Sequence, residues 1–307
     1  MKAVVLGAAA GGGFPQWNSN ADACRRARAG DALAVPRTQA SLALSGDGWR
    51  WFLINASPDL RQQIEAHSFL QPRRGLRSSP IEGVVLTGAD VDAIAGLLHM
   101  RERQPFTIYG NERVLGVLKA NPIFGVLAED CVQRQAVPLG QAFELSHVDG
   151  SGSGLEVELF DVPGKVALYL EAGQSTGELV GKPGDTVGIE VRAGKDRLFY
   201  VPGCARMTGE LKNRLAGASV VLFDGTLWQD DEMIRLGLGP KTGQRMGHMS
   251  VSGPDGTMAA FRDVDVGRKI LIHINNSNPI LIDGSEERVL LAKHGWEVAY
   301  DGMEVSP

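Results

Sequence analysis

A chain of 307 residues that is 43% hydrophobic can bury the core of one large domain or two small ones. Its net charge of −5, without any long Lys/Arg run, argues against a nucleic-acid or anionic-membrane surface, and no stretch of about 18 apolar residues is present to form a transmembrane helix. Three widely spaced cysteines, Cys24, Cys131 and Cys204, supply neither a disulfide framework nor an intact zinc-ligand spacing.

The first apolar run, Lys2–Leu6, is short and soon interrupted by glycines, unlike the apolar segment of a secretory signal. It reads as a first strand and points to a cytoplasmic protein. The loop that follows, Gly7–Pro15, fits neither the dinucleotide pattern Gly-x-Gly-x-x-Gly nor a phosphate-binding loop ending in Lys-Ser/Thr. Its glycines are expected to let backbone pass close to something bulky. The basic cluster Arg25, Arg26 and Arg28 reads as a solvated helix face. Strands over Ala40–Leu44 and Trp51–Asn55 precede a helix over Pro58–His67, with Ser57 as its cap. Strand Gly83–Thr87 leads to a helix over Asp90–Met100, and strand Phe106–Tyr109 to a helix over Asn111–Ala120. Ser146–Gly154 reads as a flexible polar loop before strand Leu155–Phe160, and Gln174–Gly184 as a second one. Strands Thr186–Arg192, Leu198–Val201 and Val220–Phe223 follow, with a helix over Thr208–Leu215 between the last two. The chain closes with helix Pro254–Phe261, strand Lys269–Ile274, helix Ser285–His294 and strand Glu297–Tyr300. Strands come in pairs and triplets rather than alternating strictly with helices. This predicts two packed sheets with helices outside, in a single domain spanning 1–307.

Polar residues gather where these strands end, the usual place for a site in such a fold. Asp90 and Asp92 follow strand Gly83–Thr87. They serve either as a helix N-cap and a first-turn acid suited to the helix dipole, or as metal-ligating carboxylates. Asp224 ends an apolar strand and is followed by Gly225 and Thr226, which makes a turn or a site carboxylate. The polar loop Lys241–Ser250 carries His248 and two cations, Lys241 and Arg245, that suit an anionic substrate group. His273 closes another apolar strand, and Asn275, Asn276, Ser277 and Asn278 behind it suit the orientation of a ligand or substrate. Cys204 reads as a small buried residue, and His67, His99, His147 and His294 as structural or solvated.

The stretches GAAAGGGFPQWN, PRTQASLAL, NASPDLRQQI, VVLTGADVDAIAGLL, VPGCARMT, LFDGT, KTGQRMGHMS and LIHINNSNPIL occur in that order over nearly the whole chain. Together they closely resemble the coenzyme PQQ synthesis protein B family of the metallo-β-lactamase superfamily. The resemblance implies an α/β fold, an αββα sandwich of two mixed sheets flanked by helices, with a site where strand-end loops converge. It implies a role in making pyrroloquinoline quinone (PQQ). That role is either Fe(II)-dependent hydroxylation of the tyrosine ring of a Glu–Tyr intermediate, or carriage of PQQ or its precursor. A metal-dependent hydrolase is a third reading, weakened because the loop Thr87–Gly96 holds no histidine. The superfamily pattern Thr-His-x-His-x-Asp-His-x-x-Gly falls on that loop, with Asp92 at its aspartate and Ala93 where its last histidine stands. On this resemblance Asp92 and His273 are metal ligands, Asp90 is a substitute carboxylate, and Asp224 and His248 are catalytic residues beside the metal. Lys241 and Arg245, on their charge, and Asn275, Asn276 and Ser277 complete the set as substrate-binding residues. The Cys-x-Cys-x-x-Cys cluster of the family falls on Ser19, Ala21 and Cys24. A structural zinc is therefore not expected there, since one thiolate cannot close a tetrahedral site. The PQQ precursor and other proteins of PQQ synthesis are the expected partners. Oligomeric state is left open, a homo-oligomer included.

Overall fold

The computed structural model describes residues 1–171 and 181–307. Among the described residues, six strands form a first sheet in sequential order: β1 (Lys2–Gly7), β2 (Ser41–Ser45), β3 (Trp51–Ile54), β4 (Ile81–Val85), β5 (Phe106–Gly110) and β6 (Val132–Ala136). β1 to β3 pair antiparallel and β3 to β6 parallel. Seven further strands form a second sheet: β7 (Ala142–Ser146), β8 (Gly152–Asp161), β9 (Val187–Ala193), β10 (Asp196–Val201), β11 (Ala218–Asp224), β12 (Val266–Ile272) and β13 (Trp296–Val298), again with neighbours in sequence lying side by side. β7 to β10 are antiparallel, and β10 to β13 parallel. β3 and β5 are buried along their whole length, which is why they read as unbroken apolar runs rather than as alternation.

The helices are α1 (Asp22–Arg28), α2 (Leu60–Ala66), α3 (Val91–Ile94), α4 (Glu112–Ala120), α5 (Gly209–Leu215), α6 (Glu232–Arg235), α7 (Gly243–Met246), α8 (Thr257–Ala260) and α9 (Glu286–Lys293). Three apolar clusters define the layers. Between the sheets, Leu42, Phe52 and Ile54 meet Leu159, Ile189, Leu222 and Ile270. Outside the first sheet, Leu53, Val84 and Ile108 pack on Leu60, Leu97 and Leu118. Outside the second, Phe199, Phe223 and Leu271 pack on Leu211, Phe261 and Leu291. The result is the αββα sandwich expected from the sequence. The C-terminal segment runs back along β1, with Val5 N–H donating to Met303 O at 2.9 Å and Val305 N–H to Ala3 O at 2.9 Å, so it ties the two sheets at one edge. No helix among the described residues is long and apolar enough to cross a membrane.

Several elements depart from the sequence reading. β6 and β7 were not foreseen, and much of Ser146–Gly154 is a hairpin turn between β7 and β8 rather than a flexible loop. The loop placed at Gln174–Gly184 falls largely on 172–180, outside the described residues. Ser57 does not cap α2, which starts three residues later; its buried hydroxyl faces Gln63 Oε1 at 3.2 Å instead. The helix expected over Asp90–Met100 is one short turn, α3, continued by a 3₁₀ segment over Ala95–Met100, and that expected over Pro254–Phe261 shrinks to α8.

Candidate metal centre and cavity

β4, β10, β11 and β12 all point their C-terminal ends at one cavity of ≈ 490 Å³, lined by Asp90, Asp92, Thr226, His248 and His273 among others. Ligand sites of α/β folds gather at such strand ends because the loops leaving them are free to carry polar groups.

Asp90 stands at the N-cap position of α3, yet its side chain accepts no capping hydrogen bond. The capping reading is thereby set aside, and the carboxylate instead forms part of the cavity wall. Burial pushes its carboxyl above the ordinary value, and the charge of Asp92 adds to this. Asp92 Oδ2 lies 2.8 Å from His273 Nε2. Burial alone would raise the Asp92 carboxyl, but the hydrogen bond with His273 outweighs it and holds Asp92 low. Burial likewise pulls the His273 imidazole down, and the same bond to Asp92 outweighs it, so His273 sits above its usual value. His273 follows β12 with φ of 58°, in the left-handed region that non-glycine residues rarely enter. Asn55, just beyond β3, does the same at φ 61°. Its amide clasps Thr87, accepting from Thr87 N–H at 2.9 Å and donating to Thr87 Oγ1 at 2.8 Å, which fixes the start of the Thr87–Gly96 loop.

Asp224, the last residue of β11, is wholly buried. Its Oδ2 accepts from Cys204 N–H at 2.8 Å and lies 2.7 Å from His248 Nδ1, while its Oδ1 accepts from Thr226 N–H at 3.0 Å and Oγ1–H at 2.6 Å. The carboxylate is thus saturated, and it fixes the tautomer of His248: Nδ1 carries the proton toward Asp224 and Nε2 is the other ring nitrogen. Thr226 Oγ1, which has spent its one proton on Asp224, lies 2.9 Å from His273 Nδ1 and accepts from it. His273 is therefore protonated on Nδ1. The two imidazoles stack, with centroids 5.2 Å apart. Single donor atoms of Asp224, His248 and His273 all lie within 4.8 Å of one another.

These residues fit a metal ion. Asp92 and His273 direct an oxygen and a nitrogen at the same place, and Asp90 brings a second carboxyl whose charge is disfavoured until a cation relieves it. Beside them the buried phenol of Tyr200 has no hydrogen-bond partner of standard geometry among the described residues, although Asn55 and Asp92 are its neighbours.

The other expected site residues divide. Lys241 and Asn275 line the cavity. Arg245 lies behind the wall and pairs with Glu171 Oε2 at 3.3 Å. Asn276 and Ser277 do not line the cavity, which corrects their reading as substrate contacts. Asn276 is buried, donates to Gln16 Oε1 and accepts from Cys24 Sγ at 3.5 Å; Ser277 donates to the carboxylate of Glu232. Both are used up in holding neighbouring loops. Cys204 is buried, and burial and then Asp224 push its thiol well above the ordinary range, as a structural cysteine requires. Where the cysteine cluster of the resembled family would sit, α1 is pinned by Arg28, which donates to the carbonyls of Ser19 and Gln16. In the glycine loop the close passage is at Gly7, where a Cβ would lie 2.2 Å from Gln39 O, while Gly11 sits beside Asp92 with room for a side chain. Sequence reading missed Thr226, Lys165 and Tyr200; only Thr226, inside the Asp-Gly-Thr turn, carried a local signal.

Two sheets flanked by helices, with aspartates and histidines on the strand-end loops, define a metallo-β-lactamase-type protein. The sequence model of the Beta-lactamase superfamily domain matches residues 50–274. Coenzyme PQQ synthesis protein B of Gluconacetobacter diazotrophicus is 58% identical over 303 residues, covering 99% of this chain and 98% of that one, and its counterpart from Methylorubrum extorquens strain AM1 is 50% identical over the same length, covering 99% of each. The crystal structure of Zn²⁺-bound PqqB from Methylobacterium extorquens superposes over the full length of both chains with a TM-score of 0.94 and 50% identity. A diphosphatase of the PhnP family, 18% identical with a TM-score of 0.67, shares the fold. The chain belongs to the coenzyme PQQ synthesis protein B family.

Proposed function

We propose that the chain acts in PQQ biosynthesis as an Fe(II)-dependent hydroxylase of the tyrosine ring of a Glu–Tyr-derived intermediate. The observation that carries this reading is the convergence of Asp92, His273 and Asp90 on one wall of the cavity, with the Asp224–His248 pair beside them. Oxygen and imidazole donors without a thiolate suit a hard or borderline divalent ion such as Fe(II). Asp92 and His273 would hold the ion and Asp90 would supply the further carboxylate. When bound, it would supply the means of activating O₂, chemistry that protein side chains lack. Thr226 accepts from His273 Nδ1–H, which fixes the ring with Nε2, the nitrogen facing Asp92, as the atom that would ligate. His248 lines the cavity with its Nδ1 anchored to Asp224, which suits Nε2 to exchange a proton with substrate. A cavity of ≈ 490 Å³ is the size that encloses a dipeptide-like molecule.

Anaerobic Fe(II) titration followed by O₂ addition with a Glu–Tyr peptide tests this reading. Iron binding at micromolar concentration and transfer of ¹⁸O from labelled O₂ to the ring are expected. Iron that does not bind at that concentration sinks the proposal.

A second reading, a carrier of PQQ or its precursor, is favoured by one residue. Ala93 stands where the superfamily pattern has a histidine, which shortens the ligand set. On that reading PQQ binds equally to metal-free protein and to protein incubated with Fe(II). The crystal structure of PqqB from Methylobacterium extorquens is Zn²⁺-bound, which supports metal binding in the family without choosing between iron and zinc.

A further inference from the structure

Three cations from two separate segments close on one carboxylate at the edge of the cavity. Lys165 Nζ lies 3.2 Å from Glu171 Oε1, Arg245 Nη2 lies 3.3 Å from Oε2, and Lys241 Nζ lies 3.8 Å from Oε2. Lys165 and Lys241 also line the cavity. Glu171 has 11% of its side chain exposed and Lys165 16%, while Lys241 and Arg245 keep 37% and 34%, so the carboxylate is sheltered and two of its partners stay reachable from solvent. Among the described residues Glu171 is the one carboxylate within ion-pair distance of these three cations, and Arg245 retains a buried Nη1 without a hydrogen-bond partner among them. A cluster that only stabilised the fold would be expected to use that donor, because a buried unpaired donor costs free energy. A site shaped for a carboxylate, holding one of the protein's own, explains both the charge excess and the idle donor.

We propose that Lys165 and Lys241 on the cavity wall, with Arg245 behind them, form a carboxylate subsite at the cavity's edge, and that Glu171 is its internal occupant, displaced when a substrate carboxylate arrives. The inference rests on the reading that the cavity takes a carboxylate-bearing substrate, and it deepens that reading. It does not depend on the metal or on any reaction. The lysines meet the carboxylate as point charges and Arg245 offers its planar pair of donors, a combination that suits a carboxylate. An internal carboxylate at this point also keeps the cations ordered before substrate binds, and sets a threshold that a monoanion of weak complementarity does not pass.

Isothermal titration of the full chain with glutarate, after passage over a chelating resin, tests the proposal. Glu171→Gln keeps the size of the side chain and removes its charge, so it is expected to bind glutarate roughly tenfold more tightly than the unaltered protein. Adding Lys241→Met and Arg245→Met to Glu171→Gln abolishes the gain. Glutaramide, without charge, does not bind. Equal glutarate affinity in the unaltered and Glu171→Gln proteins overturns the displacement, and binding that survives loss of Lys241 and Arg245 overturns the subsite. Inorganic phosphate binding more tightly than glutarate overturns the ligand class. Should Glu171→Gln not fold, Glu171→Asp withdraws the carboxylate by one methylene and must shift affinity in the same direction. All arms are run without metal or O₂, so a chain that never loads iron can still pass, and one that hydroxylates can still fail.

Discussion

Thr226 has one hydroxyl proton and four acceptors or donors around it: Asp224 Oδ1 at 2.6 Å, His273 Nδ1 at 2.9 Å, His273 O at 3.0 Å and His248 Nδ1 at 3.1 Å. The carboxylate is the strongest acceptor and takes the proton, which leaves the oxygen to receive N–H from His273. Removing the hydroxyl takes away the acceptor that anchors His273 Nδ1–H, so the ring is free to turn over and Nε2 is no longer held facing Asp92. Thr226→Val is therefore expected to lower divalent-metal affinity by about 10- to 100-fold, read by competition with a chromogenic chelator, and Thr226→Ser restores it. The valine keeps the volume, so thermal unfolding separates loss of ligand orientation from loss of fold. Ala93 is the complementary case. Its methyl group is buried in the cavity wall, one residue from Asp92. Ala93→His is expected to tighten Fe(II) binding roughly tenfold in the same assay. Unchanged affinity would mean that the ion is held elsewhere.

The loop Thr87–Gly96 owes its course to close backbone contacts as much as to its acids. Ala56 N–H donates to Ala93 O at 2.7 Å, and Gly96 N–H donates to Ala56 O at 2.8 Å, so the loop is stitched to the end of β3. A Cβ on Gly96 would lie 2.1 Å from Ser57 O and 2.7 Å from Ala56 O, both backbone atoms that cannot swing aside. Gly96→Ala must push α3 away from β3 and carry Asp92 with it. The expected outcome is a loss of about 1–3 kcal/mol in urea unfolding together with weakened metal binding. A variant of full stability and full affinity would show that the loop adapts freely. At this scale the sequence was informative about existence and not about length. The acids and apolar residues of Asp90–Met100 gave the right kind of element, but Ala56 takes up the carbonyl of Ala93 and the N–H of Gly96, and the segment is one turn plus a 3₁₀ stretch. β6 escaped notice because it is a polar edge strand, mostly exposed, with no apolar alternation to announce it.

The layered architecture was legible because each central strand is an apolar run bounded by turn residues, and that signal survives without long-range information. The site was legible as a set of strand-end acids and histidines, but their grouping was not. Asp92 and His273 are separated by 181 positions, and only the packing of the two sheets brings them to 2.8 Å. Asn276 and Ser277 were misread for the same reason, since nothing local says that one turns toward Gln16 and the other toward Glu232. Elsewhere the second sheet carries a charge cluster that the sequence also hid. Glu190 on β9, 1% exposed, accepts from Arg192 at 2.8 Å and Arg197 at 2.8 Å, with Arg214 of α5 at 3.5 Å, and Glu158 of β8 shares Arg192 and Arg214. These contacts join β8, β9, β10 and α5. Burial pushes the Glu190 carboxyl up, but hydrogen bonds from Arg192 and Arg197 outweigh it and hold it below its ordinary value. A carboxyl lowered by folding contributes stability above its unfolded pKa, about 4.5, and loses that contribution as pH falls through its folded value. Glu190→Gln leaves the arginines without their buried partner and should cost about 3 kcal/mol near pH 7, measured by urea unfolding. As the pH falls below that unfolded value toward the lowered folded one, the contribution is lost, so the gap between the two proteins narrows. A gap that stays constant with pH would mean that Glu190 acts through its packing and not through its charge.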